Sequence, residues 1–405
     1  MCKCLVCGTE VKEFMNFGKM PIANGFITEA NYGKEEFFDL KVGYCPKCHM
    51  VQLTSLVEKE KMFNENYAFF SSTSKRMEVH FKEMAYWMME NYLSDDSFVV
   101  EIGSNDGIML QNFAKENIKH VGVEPSANVA EVAKGKGLNT LNSFFDKETA
   151  EKIRAEYGQA DIITGTNVMC HIPYIHSVFD GVEALLKPSG VLIFEDPYIG
   201  DIVKRVSYDQ IYDEHAFYFS ACSVSYLAQM HGLELIDVYH QNVHGGSMRY
   251  VIAPANQRAV SERAKALIEE EQNLGLHTFE TYLQLAQNIE KNKNELLQLL
   301  KELNSQGKRV VGYGATSKST TVINYCGITP DLIEFISDTT PIKQNKMSPG
   351  MHIPVRSYEE FKNNYPDYAL LFAWNHGEEV MEKEKAFKSH GGKFILYVDG
   401  VRVSK

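Results

Sequence analysis

Two short cysteine pairs near the N-terminus place the strongest constraint on the fold. The pairs are Cys4-Leu-Val-Cys7 and Cys45-Pro-Lys-Cys48, and an apparent strand, Phe37 to Tyr44, precedes the second. Each C-x-x-C turn supplies two thiolates, and four thiolates make the tetrahedral shell that structural Zn²⁺ prefers. With all four positions filled, this metal would serve folding and not catalysis. The alternative is a set of unrelated buried or redox-active cysteines, since C-x-x-C also occurs in thioredoxin-like sites.

Length, charge and hydropathy limit the remaining possibilities. A chain of 405 residues exceeds what one hydrophobic core fills, so two or three domains are expected. The net charge of −12 argues against nucleic acid as a partner, because such binding depends on Lys and Arg at phosphates. No run approaches the roughly 20 apolar residues of a membrane span, and the first ten residues lack the apolar core of a signal peptide. We therefore expect a cytoplasmic protein without a membrane partner, whose cysteines are ligands or buried thiols.

From residue 97 the sequence alternates between strand and helix patterns. Strands are predicted at 98–102, 120–123, 161–164 and 190–195, with helical segments between them. This alternation indicates a parallel α/β sheet whose ligand lies beyond the carboxyl ends of the strands.

The predicted strand ends carry groups suited to an adenosyl cofactor. The first strand runs into Glu101-Ile-Gly103-Ser104-Asn-Asp106-Gly107, where the two glycines would admit a ligand and Asp106 would meet the ammonium group of a methionyl tail. Glu124 ends the second strand and would accept hydrogen bonds from a ribose diol. The third strand ends near Asn167. This combination predicts S-adenosylmethionine (SAM) as the cofactor.

Nicotinamide binding is the competing interpretation of the same pattern. Dinucleotide folds also use an acid at the end of the second strand, but the fingerprint G-x-G-x-x-G is absent here. A polar, acidic turn also disfavours a pyrophosphate, which binds to bare amides at a helix N-terminus.

Titratable and aromatic groups cluster after the fourth strand, in the segment from Tyr208 to Phe219. A turn would put Tyr212 and His215 on one face, and the adjacent Glu214 could orient the imidazole. Histidine is the natural general base at neutral pH. His171 follows the third strand and faces the same crevice. A hydrogen-bonded structural role is the alternative for either histidine.

Two further segments are candidates for binding the acceptor. His244-Gly245-Gly-Ser-Met-Arg249 closes a predicted hairpin that begins with the strand Glu234 to His240, and a plain β-turn with a solvated arginine is its alternative. After a long helical region, 261–304, a second α/β unit opens with Arg309-Val-Val-Gly-Tyr313-Gly-Ala-Thr-Ser317-Lys318. Such a strand, glycine turn and helix N-terminus can hold an anion, and the diphosphate of a nucleotide is the expected one.

Together these motifs resemble the nucleotide-sugar C-methyltransferases of deoxysugar biosynthesis over nearly the whole chain. The resemblance rests on the two C-x-x-C pairs and on the following segments: 67–72 (YAFFSS), 101–107 (EIGSNDG), 167–173 (NVMCHIP), 212–215 (YDEH), 244–249 (HGGSMR), 312–315 (GYGA) and 324–327 (NYCG).

The resemblance implies a function and a set of residue roles. SAM would supply a methyl group to carbon 3 of a nucleotide-diphosphate 4-keto-deoxysugar. His215 would remove the proton from that carbon, with Tyr212, Glu214, His171 and Tyr67 around the sugar. The C-terminal unit would help to hold the nucleotide.

The predicted architecture is α/β in three parts. A zinc-binding domain spans 1–62, a class I SAM-methyltransferase domain with a Rossmann-like sheet spans 63–255, and a helical linker with a second Rossmann-like domain spans 256–405. Two other functions stay open from the sequence: an O- or N-methyltransferase on the same sheet, and a non-enzymatic interaction protein built on zinc. The oligomeric state is also open, a monomer included.

Overall fold

The structure is a computed structural model, and it describes residues 2–58, 71 and 75–404. Across these residues the strands form three sheets, of four, seven and six strands. None of the helices described is long and apolar enough to cross a membrane. The three-part α/β architecture predicted from the sequence is confirmed.

The first sheet is antiparallel and has the order β1-β2-β3-β9. Its strands are β1 (Lys12–Pro21), β2 (Phe37–Tyr44), β3 (Val51–Leu53) and β9 (Phe217–Tyr218). The last of these begins at Phe217, 164 residues after Leu53 at the end of β3 and two residues after His215. The zinc-binding part and the candidate active site therefore share a sheet. The domain boundaries at residues 62/63 and 255/256 remain predictions from the sequence.

The central sheet has the order β10-β11-β8-β7-β4-β5-β6, in which all strands are parallel except β11, which is antiparallel to both of its neighbours. The strands are β4 (Phe98–Ile102), β5 (Lys119–Val123), β6 (Thr140–Leu141), β7 (Ala160–Thr166), β8 (Leu186–Pro197), β10 (Leu233–Gln241) and β11 (Ser247–Pro254). The order reverses between β4 and β7, which makes a crevice for a ligand at their carboxyl ends.

Helices cover both faces of the central sheet. They are α1 (Lys75–Tyr92), α2 (Leu110–Lys115), α3 (Ala127–Gly135), α4 (Lys147–Tyr157), α5 (Ile175–Leu185), α7 (Ala221–Met230) and α8 (Glu262–Asn273). The short helix α6 (Ile199–Arg205) instead packs its buried Ile199 and Ile202 into a third core, which includes residues of the first sheet. Separate apolar cores lie on the two faces, because side chains of a strand alternate between them. One core also includes Cys4, Cys45 and Cys48, so the zinc-binding part packs on the sheet.

The predicted helical region 261–304 is two helices. The chain turns between α8 and α9 (Phe279–Ser305) at Gly275, whose φ of 73° favours glycine. The buried residues of α9 follow a spacing of three and four, typical of one apolar stripe: Tyr282, Leu285, Ile289, Asn292, Leu296, Leu300 and Leu303. This stripe packs against the first sheet and the C-terminal sheet in one core, so α9 contacts both of these sheets.

The C-terminal sheet has the order β14-β13-β12-β15-β16-β17 and is parallel except for β17. Its strands are β12 (Val310–Tyr313), β13 (Ile336–Asp338), β14 (Val355–Ser357), β15 (Tyr368–Leu371), β16 (Lys393–Leu396) and β17 (Arg402–Val403). Its helices are α10 (Ser317–Cys326), α11 (Tyr358–Asn363), α12 (Gly377–Lys383) and α13 (Lys385–Ser389).

One strand of this unit is predicted to begin before the residue at which it begins in the structure. The sequence predicts a strand from Leu332 to Ser337, but β13 begins at Ile336. The amides of Leu332 and Ile333 both donate to the carbonyl of Thr329, which closes a turn in place of a strand.

Candidate active site and zinc centre

The four predicted zinc ligands converge on one point. Their sulfur atoms all lie within 4.8 Å of one another, with Cys4 Sγ 3.4 Å from Cys48 Sγ and Cys7 Sγ 3.3 Å from Cys45 Sγ. Backbone hydrogen bonds close both turns, from the amide of Gly8 to the carbonyl of Cys4 and from the amide of His49 to the carbonyl of Cys45. A thiolate tetrahedron of this size fits Zn²⁺, which would be held here as a structural ion.

The turn after β4 is shaped by packing within the protein. Gly103 has φ 66° and Gly107 has φ 81°. A Cβ atom on Gly103 would lie 2.5 Å from Val168 Cγ2, and one on Gly107 would lie 2.1 Å from Leu138 Cδ1. The glycines are therefore required by both conformation and space, a reason that the sequence alone did not reveal.

Three acidic side chains surround this turn. Glu124 Oε2 accepts from the amide of Asn105 at 3.0 Å, and its Oε1 accepts from the amide of Ser126 at 2.8 Å, so the carboxylate clamps the turn to the end of β5. Burial raises the pKa of Glu124, and burial together with the neighbouring Glu124 raises that of Glu101 well above its usual range. Asp106 lies 3.5 Å from the ammonium group of Lys136.

These groups fit a cationic ligand such as SAM. Glu101 Oε2 and the hydroxyl of Ser104 are buried without a hydrogen-bond partner among the described residues. Closely spaced buried carboxyls raise one another's pKa, and a positive charge between them would relieve that repulsion. Glu101, Ser104, Asp106 and Glu124 could thus hold the ammonium group and ribose of SAM. Asn167, which follows β7, has φ 54°, and its backbone N–H donates to the carbonyl of Glu195 at 2.7 Å.

His215 is buried at the centre of the second group of predicted residues. Its Nδ1 lies 2.9 Å from the carbonyl oxygen of Gln210, and its ring centroid is 4.2 Å from that of Tyr212 and 5.1 Å from that of His171. The amide of His215 donates to the carbonyl of Tyr212, which makes the predicted turn. Burial, aided by His171, lowers the pKa of His215 well below its usual range, and burial lowers that of His171 to about 4. Both imidazoles are therefore neutral at pH 7.

Glu214 does not orient His215. Its Oε1 accepts from Asn24 Nδ2 at 2.8 Å, and the neighbouring Asp213 accepts from the amide of Ala23 at 3.1 Å. Burial raises the pKa of both carboxyls, and the nearby Lys343 partly offsets this for Glu214. The loop after β1 therefore lies against the candidate site and contributes Asn24 to its wall.

The predicted acceptor-binding residues of the two α/β units partly meet. Lys318 Nζ, at the start of α10, donates to the carbonyl of His244 at 2.8 Å and lies 5.1 Å from the ring centroid of Trp374. A Cβ on Gly245 would lie 2.2 Å from Trp374, so the hairpin packs directly on this ring. Burial lowers the pKa of Lys318 to about 8 and that of His244 to about 3. Ser317 is the first residue of α10.

Two other predicted site residues form contacts away from this region, and a third lies outside the residues that the structure describes. Arg249 is buried and pairs with Glu195 at 3.0 Å, where His80 Nε2 also contacts Glu195 at 2.6 Å. Tyr313 donates to Glu384 at 2.8 Å inside the C-terminal core. Tyr67 lies outside the residues that the structure describes.

Sequence reasoning missed several residues of the site. Gln210 contributes only its backbone carbonyl, which no side-chain pattern reveals. Asn24 and Lys343 come from the first and last parts of the chain. Asp196, at the end of β8, accepts from the amide of Cys170 at 3.3 Å, and burial raises its pKa to about 8. An acid ending a predicted parallel strand was the available signal for Asp196.

The sheet order, the acidic crevice and the thiolate cluster together define a SAM-dependent methyltransferase with a zinc-binding domain. Three family models match the chain: a zinc-binding domain over residues 4–63, a methyltransferase domain over 77–238 and a C-methyltransferase C-terminal domain over 242–399. The C-methyltransferase NovU of Streptomyces niveus is 35% identical over 405 residues, which cover 99% of this chain and 96% of NovU. The chain belongs to the family of C-methyltransferases that includes NovU.

More distant matches cover less than half of this chain. A ubiquinone biosynthesis O-methyltransferase of Escherichia coli O127:H6 is 30% identical over 98 residues, or 24% of this chain and 41% of that protein. The structure of a SAM-dependent methyltransferase from Anabaena variabilis matches with 16% sequence identity and a TM-score of 0.35. The match covers 42% of this chain and 83% of the Anabaena chain. Membership in the C-methyltransferase family sets aside the nicotinamide and non-enzymatic alternatives.

Proposed function

We propose that this enzyme transfers a methyl group from SAM to carbon 3 of a nucleotide-diphosphate 4-keto-deoxysugar, with His215 as the base. The contact between His215 Nδ1 and the carbonyl of Gln210 supports this role of His215 most strongly. A carbonyl can only accept, so Nδ1 bears the proton and Nε2 keeps the lone pair. A buried, neutral imidazole oriented in this way is suited to removing a proton from carbon.

The chemistry needs an acidic C–H bond, which a neighbouring ketone supplies. SAM, when bound, provides an electrophilic methyl group for the resulting carbanion. His215 would take the proton at Nε2, and the negative charge would move to the ketone oxygen as an enolate. Tyr212 and His171 stand against the His215 ring, where their polar groups can donate hydrogen bonds to that oxygen. Glu214 and Asn24, hydrogen-bonded to each other, would position the sugar hydroxyls.

The residues between the two α/β units would bind the nucleotide diphosphate. Lys318 carries a positive charge at pH 7 because its pKa of about 8 lies above that pH. It stands in the first turn of α10, and the N-terminus of a helix also attracts anions. Arg205 lies 4.8 Å from the Trp374 ring centroid and donates to the carbonyl of Gly245 at 3.1 Å, so a second cation borders the same region. We propose that the nucleotide diphosphate contacts His244, Gly245, Ser317 and Lys318. Arg249 and Tyr313 would support the site through their contacts with other residues.

Isotope loss from the acceptor tests the proposal most directly. The enzyme is incubated with SAM and a nucleotide 4-keto-deoxysugar deuterated at carbon 3, and the product is analysed by mass spectrometry. Methylation at carbon 3 must remove the deuterium, so a product that gains a methyl group and loses the label is expected. A methylated product that keeps the label would exclude carbon 3 and favour methylation of a hydroxyl or amine. Nucleotide sugars with a 4-hydroxyl serve as controls and should be inert, because they cannot form the enolate.

A further inference from the structure

A second group of metal-ligating side chains lies inside the candidate active site. Cys170, His171 and His215 each offer one ligand atom, and these three atoms lie within 4.8 Å of one another. Cys170 and His171 belong to the short helical turn Met169–His171 after β7, whereas His215 comes from the segment before β9. The fold therefore brings a thiol and two imidazoles together from distant parts of the chain.

We propose that this cluster is a divalent transition-metal site, distinct from the four-cysteine centre, and that a metal bound there inhibits the enzyme. One thiolate and two imidazoles form a donor set that favours Zn²⁺ and Co²⁺ over Mg²⁺ or Ca²⁺. Zn–N bonds of about 2.1 Å and Zn–S bonds of about 2.3 Å place one sulfur and two nitrogen ligands at tetrahedral positions about 3.4–3.6 Å apart. Because the ligand atoms lie within 4.8 Å of one another, the cluster needs to contract by about 1.4 Å at most, which side-chain rotation can supply.

The surroundings of His215 match those of a metal ligand. Ligating histidines donate their second ring N–H to a carbonyl or carboxylate, which fixes the lone pair on the other nitrogen. His215 Nδ1 has such a partner in the carbonyl of Gln210 at 2.9 Å. The lone pair on Nε2 can therefore either bind a metal ion or accept a proton. Since one lone pair cannot do both, a metal on His215 blocks proton removal.

The fourth coordination position would be open to water or to Asp196. The amide of Cys170 donates to Asp196 Oδ2 at 3.3 Å, and the fully buried Oδ1 has no hydrogen-bond partner among the described residues. On binding, the metal replaces the proton of the Cys170 thiol, and that proton passes to solvent. No electron transfer is involved, so the step balances with the metal ion alone.

Cobalt binding to the zinc-loaded enzyme tests the site without any sugar substrate. Co²⁺ bound to a thiolate gives a near-ultraviolet charge-transfer band, and metal analysis before and after titration shows whether the four-cysteine zinc is retained. We expect one additional Co²⁺ per chain with a thiolate band. Cys170→Ala and His171→Gln should each weaken this binding at least tenfold, while Cys222→Ala, which removes a part-buried thiol outside the cluster, should bind Co²⁺ as the native chain does.

Equal Co²⁺ binding by the native chain and by both cluster variants, or no additional Co²⁺ in the native chain, would overturn the proposal. If Cys170→Ala misfolds by circular dichroism, His171→Gln decides the matter. The inhibitory half rests on the proposed function: added Zn²⁺ should slow methyl transfer, and Cys170→Ala should need at least tenfold more Zn²⁺ for the same fractional loss. Metal binding without inhibition would contradict the role of His215 while leaving the metal site in place.

Discussion

The Nδ1 atom of His215 lies 2.9 Å from the carbonyl oxygen of Gln210, and this contact determines which ring nitrogen can accept a proton. The carbonyl is held in place because the amide of Gln210 donates to the carbonyl of Ser207 in a short helical turn. The orienting group of the base is thus a backbone atom, a neutral partner that leaves the imidazole uncharged. An adjacent carboxylate would have raised the pKa of His215 and favoured the imidazolium.

Replacing His215 by Asn is expected to slow methyl transfer by about 10²–10⁴-fold, the usual contribution of a positioned general base. SAM affinity should change little, because the acids around the turn after β4 are untouched. Single-turnover kinetics and calorimetric SAM binding measure the two effects. A variant with near-native turnover would move the base to His171 or Tyr212.

The pH profile of the native enzyme provides a second test of His215. The imidazole acts only when neutral, and burial holds its pKa well below 6.5. The rate of the chemical step should therefore stay level as pH falls from 7.5 to 6.5 and decline only at lower pH. A single-turnover rate that falls with an apparent pKa near 6.5 would show an exposed histidine instead.

Glu124→Ala is expected to weaken SAM binding by roughly 1.5–3 kcal/mol, the range for hydrogen bonds that involve a charged group. The carboxylate also clamps the turn after β4 through the amides of Asn105 and Ser126, so its loss should loosen the turn as well. Glu116→Ala removes an exposed acid of the same domain and serves as the control. Equal SAM affinity of the Glu124 variant and the control in calorimetry would remove Glu124 from the cofactor site.

Helices and strands that depend on neighbouring residues could be predicted from the sequence, whereas the pairing of strands that are distant along the chain could not. The strand predicted at 98–102 has the same bounds in the structure, because five buried residues before a glycine turn form a purely local signal. The pairing of β9 with β3 joins Phe217 to Gln52, and nothing near either residue predicts the other. Among site residues, His215 and Tyr212 were found because they share a turn. Asn24 and Lys343 were missed because only the packing of separate domains brings them to Glu214.

Freshly purified enzyme should contain one zinc ion per chain, bound by Cys4, Cys7, Cys45 and Cys48. Folding creates this site, so the free energy of metal binding stabilises the fold. Cys45→Ser should therefore lose zinc and solubility together, as measured by metal analysis and soluble yield. Cys222→Ser is the matched control and should keep both. Substoichiometric zinc in native protein with all four thiols reduced would contradict the assignment.

Lys318→Met is expected to raise KM for the nucleotide sugar by roughly 10–150-fold, which corresponds to the 1.5–3 kcal/mol of a charge-assisted hydrogen bond. The pKa of Lys318 is about 8, and the ammonium form predominates below that pH. Binding of the anionic substrate should thus weaken as pH rises through 8. Lys308→Met, which removes an exposed lysine paired with Asp367, is the control. Unchanged KM for Lys318→Met would place the diphosphate elsewhere.

Burial raises the pKa of the Asp196 carboxyl to about 8 in the folded protein, against an ordinary value near 3.8. A group whose pKa is raised by folding contributes stability that is fully present below its unfolded pKa. That stability is lost as pH rises towards the folded pKa, because the unfolded chain ionises first.

Asp196→Asn keeps an oxygen to accept from the amide of Cys170 but cannot ionise. Relative to the native enzyme, it should gain stability as pH rises from 4 to 8, by at most about 1.4 kcal/mol per pH unit, and the difference should level off above pH 8. Asp237→Asn supplies the opposite case, since Arg263 and Ser261 lower the pKa of Asp237 in spite of its partial burial, and its charge stabilises the fold above its unfolded pKa. Urea unfolding at pH 5, 6.5 and 8 compares the three proteins. If the free energies of unfolding of Asp196→Asn and the native enzyme run parallel over that range, Asp196 is already ionised in the fold and cannot be the neutral group beside Cys170.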